Sequence, residues 1–207
     1  MRGRFITLEG IEGSGKSTQM EFVATYLAQQ GVAVVRTREP GGTELSEKIR
    51  DLLLTDELAG MHQDTELLMM FAARVEHVNK VILPALSAGR WVLSDRFYDA
   101  TYAYQGYGRN IAIDRIDQLR VYCLGDLTPD KTLLLDVSLT VSQSRVAQRG
   151  NKDRFEQEQQ DFYARVREGY LELARNNAQR ITRIDAEQSI EHVQQAITVE
   201  LAELFSQ

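Results

Sequence analysis

Residues 10–17, GIEGSGKS, match the pattern G-x-x-x-x-G-K-[ST] in full. An apolar run at 5–9 precedes them, and Met20, Val23 and Leu27 follow at the spacing of one helix face. Backbone N–H groups can converge on an anion only where no side chain blocks the approach, so a glycine-rich turn before a helix favours phosphate binding. The pattern therefore predicts a strand, a loop and a helix that together hold the phosphates of a nucleotide.

Within this loop, Lys16 is predicted to reach the β- and γ-phosphates of ATP, and Ser17 is predicted to offer its hydroxyl to Mg²⁺. A dinucleotide-binding G-x-G-x-x-G loop is disfavoured, because Thr18 stands where the last glycine would fall in the frame of Gly13 and Gly15. The predicted ATP-binding residues cover the whole loop and include Arg145 further along the chain. The loop residues are Gly10, Ile11, Glu12, Gly13, Ser14, Gly15, Lys16, Ser17 and Thr18.

Short apolar runs alternate with longer helical patterns along the chain, which is typical of an α/β domain with a parallel sheet. Strands are predicted at 5–9, 32–36, 91–94, 132–136 and 181–185. Helices are predicted up to Gly31, from Glu44, from an N-cap at Asp64 to a break at Pro84, and at 113–124, 139–149, 156–176 and 190–205. With the phosphate loop, these elements predict a P-loop NTPase-type three-layer fold, a five-stranded parallel sheet flanked by helices.

The domain organisation follows from length and from one polar segment. The chain has 207 residues, against a prior of ~150 for one domain, and no repeat or linker marks a boundary. Residues 1–207 are therefore predicted to form a single domain. The segment at about 145–157 is predicted to be a lid that closes over the triphosphate, because cations crowd it. They are Arg145, Arg149, Lys152 and Arg154.

Composition excludes several classes of protein. A net charge of -6 argues against a general nucleic-acid binder. The longest uninterrupted apolar run, 67–73, is far short of the ~20 residues that cross a bilayer, so no membrane partner is predicted. The single cysteine, Cys123, cannot form an intramolecular disulfide, and no apolar leader opens the chain. A cytoplasmic location is predicted.

A phosphate loop alone does not name a reaction, and switch GTPases also carry one. They would be expected to show an N-K-x-D guanine signature and a D-x-x-G motif. Asn151, Lys152 and Asp153 come close to the first, but Asp153 falls one position early, and no aspartate has a glycine three places on. The guanine interpretation is therefore disfavoured.

Charged residues after the second and third predicted strands point to a phosphorylated acceptor. Asp95 is predicted to hold Mg²⁺ or its waters and Arg96 to clamp phosphate oxygens, the alternative being a surface ion pair. Arg38 is predicted to face an acceptor phosphate. No base is assigned, because all three histidines are predicted to be ordinary surface or core residues: His62, His77 and His192. A phosphate acceptor needs no base, since its second pKa is about 6.

Five segments together resemble the bacterial-type thymidylate kinase family. They are GIEGSGKST at 10–18, REPGGT at 38–43, FAAR at 71–74, DRFYDATYAYQG at 95–106 and DRFE at 153–156. The resemblance covers essentially the whole chain, and REPGGT and the DR…YQG block are specific to this family. It implies an ATP:dTMP phosphotransferase that forms dTDP and ADP in dTTP biosynthesis, acts with Mg²⁺ and is a homodimer.

The resemblance also implies the contacts of the acceptor nucleoside. Phe71 would stack on thymine and Arg74 would hydrogen-bond its carbonyl edge, while Thr101 and Gln105 would complete the pocket. Tyr104 would crowd the sugar 2′ position and so favour deoxyribose.

Further implied roles concern the sugar, the acceptor phosphate and the transition state. Glu12 would engage the sugar 3′-hydroxyl, and Arg38 and Arg96 would hold the acceptor phosphate. Because loop positions 11, 12 and 14 are Ile, Glu and Ser, the lid must supply the transition-state arginines. The catalytic set is therefore Lys16, Arg96, Arg149 and Arg154. A kinase for another nucleoside or nucleoside monophosphate and an ATP-dependent switch protein are the alternatives.

Overall fold

The computed structural model describes residues 2–55, 60–147, 155 and 158–205. Five strands in these residues form one parallel sheet in the order β2-β3-β1-β4-β5. The strands are β1 (Phe5–Glu9), β2 (Val34–Arg38), β3 (Trp91–Asp95), β4 (Lys131–Asp136) and β5 (Ile181–Asp185). The predicted α/β class and the five-stranded parallel sheet flanked by helices are confirmed.

The helices of the described residues connect these strands. They are α1 (Lys16–Gln29), α2 (Glu44–Leu54), α3 (Gln63–His77), α4 (Leu83–Ser87), α5 (Tyr98–Thr101), α6 (Ile113–Leu124), α7 (Leu139–Ala147), α8 (Gln160–Asn176) and α9 (Ile190–Phe205). Two π-helical segments, Val78–Ile82 and Tyr102–Gly108, continue α3 and α5.

The second strand was predicted two residues too early. Gly31 has a φ of 76°, and the Val32 N–H donates to the Leu27 carbonyl at 3.0 Å, so these residues close the end of α1. The strand therefore runs over Val34–Arg38 instead of 32–36. As a result Arg38 is the last residue of β2 rather than part of the following loop.

Three helix predictions also differ from the structure. His62, not Asp64, caps α3, because its side chain accepts from the Asp64 N–H. Pro84 does not end the helical path but lies in the first turn of α4, directly after the π-helical segment Val78–Ile82. Helix α8 begins at Gln160 rather than at 156.

The parallel sheet brings the carboxyl ends of β1, β2 and β3 to one edge. Asp95 is paired in register with Leu8 of β1 and with Arg38 of β2. Every residue of β1 and of β4 is buried, which fixes these two central strands within the apolar core. The phosphate loop and Arg96 leave the sheet at this edge, so the candidate site stands on a rigid base.

Helix length and polarity give no indication of a membrane-spanning element in the described parts of the chain.

Candidate active site

The predicted phosphate loop follows β1. Gly10, Gly13 and Gly15 have φ values of 142°, 73° and 91°, which L side chains rarely adopt. A Cβ on Gly10 would lie 2.5 Å from the Leu135 carbonyl oxygen, and one on Gly13 would lie 2.6 Å from that of Ser142. The backbone conformation and the close packing both require glycine at the first two positions.

Lys16 begins α1 directly after this loop. No described side chain caps the N-terminus of the helix, so its first N–H groups are available to an anion. Lys16 Nζ donates to the carbonyl oxygens of Gly10 at 3.0 Å and Ile11 at 3.1 Å. Burial, followed by the charge of Arg96, lowers the pKa of the Lys16 ammonium to about 8. A bound polyanion would favour the charged ammonium, so the geometry suits a phosphate ligand.

A first cleft, the outer cleft, is lined by Ser17, Thr37, Arg38 and Asp95, among others. In the described chain, Asp95 Oδ1 is buried without a hydrogen-bond partner. Mg²⁺ prefers oxygen ligands and commonly takes one or two protein groups together with waters and phosphate oxygens. The Ser17 hydroxyl and the unpartnered Asp95 oxygen fit that donor set.

Arg96 joins the phosphate loop to the rest of the site. Its Nη2 donates to Glu12 Oε1 at 2.7 Å and to the Tyr104 hydroxyl at 3.0 Å, and its Nη1 donates to the Tyr170 hydroxyl at 2.9 Å. The Tyr104 hydroxyl in turn donates to Glu12 Oε2 at 2.6 Å. Arg96 has a φ of 70°, an uncommon conformation for a residue with a side chain. Three residues predicted for the site, Glu12, Arg96 and Tyr104, are thus brought together.

Opposing effects act on the two carboxylates beside this arginine. Burial raises the pKa of Glu12, but the charges of Arg96 and Lys16 outweigh burial, and the net shift is downward. For Glu9, burial and the charge of Asp99 raise the pKa to about 8. Glu12 is therefore held as a carboxylate, whereas its surroundings favour the protonated form of Glu9.

Glu9 is a site residue that the sequence did not single out. The Phe97 N–H donates to its Oε1 at 2.7 Å, and the Tyr170 hydroxyl donates to its Oε2 at 2.7 Å. Since Tyr170 also accepts from Arg96, Glu9 fixes the arginine from behind. An acidic residue that ends an otherwise apolar buried strand was the available signal.

A second cavity, the inner cavity, lies on the other side of Arg96. Six residues predicted for the site line it: Glu12, Arg74, Arg96, Thr101, Tyr104 and Gln105. Further lining residues were not predicted, among them Glu39, Arg50, Met70, Phe97 and Phe155. Side chains that lie far apart in the sequence therefore share one cavity of mixed polar and apolar lining next to the phosphate loop.

Arg74 is one of the charged residues that line this cavity. Its Nε donates to Glu39 Oε2 at 2.6 Å and its Nη2 to the Phe97 carbonyl oxygen at 3.3 Å. Its Nη1 is buried and has no hydrogen-bond partner among the residues described. Phe71, which was predicted to stack on the base, is buried and is not among the residues that line the cavity. The centre of its ring lies 5.0 Å from the Arg74 guanidinium carbon. Phe71 therefore supports Arg74 by cation–π contact.

His77 is more than an ordinary core residue. It is fully buried, its Nδ1 lies 2.9 Å from Glu39 Oε1 and its Nε2 lies 2.6 Å from Thr37 Oγ1. The other two histidines have local roles, since His62 caps α3 and His192 contacts Ser189 on the surface. No periodicity in the sequence distinguishes His77, because its partners come from a different part of the chain.

The remaining predicted cations lie at different places. Arg38 Nη2 donates to Glu47 Oε2 at 2.8 Å in the outer cleft, whereas Arg96 lines the inner cavity. Arg145 donates from Nη1 to the Gly13 carbonyl oxygen at 3.2 Å and from Nη2 to that of Ala186 at 3.1 Å. The predicted lid cations at 149, 152 and 154 lie outside the described residues.

Comparisons with known proteins agree with this geometry. The family model for thymidylate kinase matches residues 8–197. A thymidylate kinase of Ruthia magnifica is 54% identical over 198 residues, 96% of this chain and 97% of the relative. One of Nitrosospira multiformis is 50% identical over 206 residues, with 100% of each chain covered.

A solved structure extends the likeness to three dimensions. The crystal structure of thymidylate kinase from Ehrlichia chaffeensis matches with a TM-score of 0.81 at 37% sequence identity, covering 97% of this chain and 100% of that one. The chain, with its phosphate loop, its inner cavity and the arginine between them, belongs to the thymidylate kinase family.

Proposed function

We propose that this protein transfers the γ-phosphoryl group of ATP to a phosphate oxygen of dTMP, forming dTDP and ADP for dTTP biosynthesis. The observation that carries the proposal is the placement of Arg96. It lines the inner cavity, and it bonds to Glu12 of the phosphate loop at 2.7 Å. Donor and acceptor nucleotides would therefore meet at one cationic group, as phosphoryl transfer requires.

On the donor side, the phosphate loop from Gly10 to Thr18 binds ATP, with Lys16 at the β- and γ-phosphates. Arg145 supports the loop through the Gly13 carbonyl at 3.2 Å. Ser17 and Asp95 would hold Mg²⁺, which neutralises phosphate charge when bound. The catalytic arginines of the lid are assigned to Arg149 and Arg154, in keeping with the family pattern.

On the acceptor side, the inner cavity receives the nucleoside. In keeping with the family pattern, Phe71 is assigned to stack on the base and Arg74 to donate to a carbonyl of thymine, with Thr101 and Gln105 beside it. The unpartnered Nη1 supports this assignment, because buried donors are rarely left without a partner.

Sugar and phosphate contacts complete the acceptor site. Glu12 accepts from the 3′-hydroxyl, Tyr104 crowds the 2′ position, and Arg38 and Arg96 hold the acceptor phosphate. No general base is needed, since the acceptor is already mostly dianionic at neutral pH. Catalysis consists of positioning and charge neutralisation by Lys16, Arg96, the lid arginines and Mg²⁺.

The proposal treats residues 1–207 as one catalytic domain in a cytoplasmic homodimer. The homodimer rests on the family resemblance, and exposed apolar side chains on three helices are candidates for its interface. They are Leu45 and Leu52 on α2, Leu68 on α3, and Val121 and Tyr122 on α6. Sedimentation equilibrium tests the stoichiometry. A free cysteine, Cys123, is in keeping with a reducing compartment.

A substrate panel tests the activity. A coupled assay of ADP release would compare dTMP, dUMP, dCMP, dGMP and thymidine, and dTMP should be preferred. Lys16→Ala should abolish most turnover, whereas Lys80→Ala, at an exposed position, should not. ATP hydrolysis that is indifferent to every monophosphate would contradict the proposal and favour a switch protein.

A further inference from the structure

Two residues that no part of the proposed mechanism uses stand behind the inner cavity. Thr37 lies in β2 one residue before Arg38, and His77 ends α3. Their contact, Thr37 Oγ1 to His77 Nε2 at 2.6 Å, continues through His77 Nδ1 to Glu39 Oε1 at 2.9 Å. Glu39 Oε2 then accepts from Arg74 Nε at 2.6 Å. One unbroken hydrogen-bonded chain thus runs from the sheet edge to the guanidinium that lines the cavity.

The hydrogen-bond partners indicate which nitrogen of His77 donates to Glu39. Glu39 and Arg74 form a buried ion pair whose side chains are only 2% and 3% exposed. A carboxylate accepts, so His77 Nδ1 carries a proton and donates to Glu39. The Nε2 of the same imidazole is hydrogen-bonded to the Thr37 hydroxyl, so both ring nitrogens of His77 have a partner. The carboxylate is held by one donor on each oxygen.

The REPGGT loop is shaped around this contact. Gly42 has a φ of 87°, and a Cβ there would lie 2.5 Å from His77 Nε2 and 2.6 Å from Thr37 Oγ1. Any side chain at this position would collide with both partners. The second glycine of the loop therefore leaves the space in which the imidazole and the hydroxyl meet.

We propose that His77 is a positioning residue for base selection, an inference that rests on the proposed role of Arg74. His77 holds Glu39 turned toward Arg74, so the base meets an N–H donor and no free carboxylate. Thymine has a carbonyl at the ring position where cytosine has its exocyclic amine, and this carbonyl accepts from Arg74 Nη1. The exocyclic amine of cytosine would place donor against donor. Without the Nδ1 donor, Glu39 Oε1 is released as an acceptor for that amine.

Two substitutions of His77 separate its two nitrogens. Asn places its amide nitrogen near the position of Nδ1 and keeps the donor to Glu39. Gln reaches toward Thr37 and loses that donor. His77→Gln should lower the ratio of kcat/KM for dTMP to kcat/KM for dCMP about tenfold, the effect of one hydrogen bond to a charged group. His77→Asn should stay within about threefold of the wild type, and His192→Asn on the surface serves as the control.

The kinetic pattern distinguishes positioning from general damage. Base contacts are remote from the reacting atoms, so KM for dTMP should rise in His77→Gln while kcat and KM for ATP stay near wild type. Equal dTMP-to-dCMP ratios in the Gln and Asn variants would overturn the inference. If neither variant folds, Glu39→Gln decides instead: an unchanged ratio refutes the inference, and a tenfold fall supports it.

The same assay separates this inference from the proposed function. A wild-type protein with no dTMP turnover would overturn both. If the wild-type protein prefers dTMP but no substitution of His77 or Glu39 alters the ratio of kcat/KM for dTMP to kcat/KM for dCMP, only the role of His77 is overturned.

Discussion

Glu9→Gln should change the pH dependence of stability in a defined direction. The Glu9 carboxyl is fully buried and accepts from the Phe97 N–H and the Tyr170 hydroxyl. Burial, together with the charge of Asp99, raises its pKa from 4.5 to about 8 in the folded protein. Between these values the folded state binds one proton that the unfolded state has released. The free energy of unfolding must therefore fall as pH rises through this window.

The magnitude follows from the two pKa values. Each pH unit between them is worth about 1.4 kcal/mol, so the contribution of Glu9 is fully present below 4.5 and about 5 kcal/mol smaller by pH 8. A glutamine side chain has a similar shape and no proton to lose. The difference in unfolding free energy between wild type and Glu9→Gln should accordingly shift by that amount, with Glu9→Gln relatively more stable at the alkaline end.

Urea unfolding at constant ionic strength, followed by circular dichroism at several pH values from 4.5 to 8, measures this difference directly. Glu203→Gln is a suitable control, because that side chain is largely exposed. The unfolding free energy of this variant should change with pH as that of the wild type does. Parallel curves for wild type and Glu9→Gln would refute the reasoning, since they would mean that Glu9 titrates alike in the folded and unfolded states.

Three further outcomes are expected. Gly42→Ala should destabilise the protein by about 1 to 3 kcal/mol because of its positive φ, whereas Gly60→Ala, with open space around its Cβ, should change the melting temperature little; equal effects would contradict this. Asp95→Asn should raise the Mg²⁺ concentration for half-maximal turnover about tenfold with an unchanged circular dichroism spectrum, and an unchanged Mg²⁺ requirement would exclude Asp95 as a ligand. Discrimination between dTMP and dUMP should be modest, about 1 to 3 kcal/mol in kcat/KM for one methyl group, and complete rejection of dUMP in a rate assay would contradict an apolar contact.

Local patterns predicted most of the fold. Strand β1 and helices α6 and α9 have the predicted bounds, because each is a periodic apolar segment between clear boundaries. The start of β2 was wrong, since Val32 is apolar enough for a strand but is held by the Leu27 carbonyl at the end of α1. The π-helical segment Tyr102–Gly108 was not predicted, because tertiary packing rather than local propensity determines it.

The candidate site likewise contains residues that local patterns predicted and residues that they did not. The phosphate loop is contiguous in the sequence, so its pattern indicates its chemistry. Glu9, Glu39 and His77 depend on partners 35 to 161 residues away, and no local pattern reveals such contacts. Family resemblance indicated Arg74, but the carboxylate and imidazole behind it became visible only in three dimensions.

The bond between Arg96 and Glu12 has a consequence for which anions the site admits. Glu12 is an internal counter-ion that already neutralises the arginine before any ligand arrives. Inorganic phosphate that displaced Glu12 from Arg96 would remove the counter-ion of the carboxylate and leave it with the hydrogen bond from the Tyr104 hydroxyl, which is unfavourable for a partly buried charge. A nucleotide with a 3′-hydroxyl brings a replacement donor for Glu12 along with its phosphate. We therefore expect the ion pair to disfavour small anions relative to a nucleotide that carries a 3′-hydroxyl.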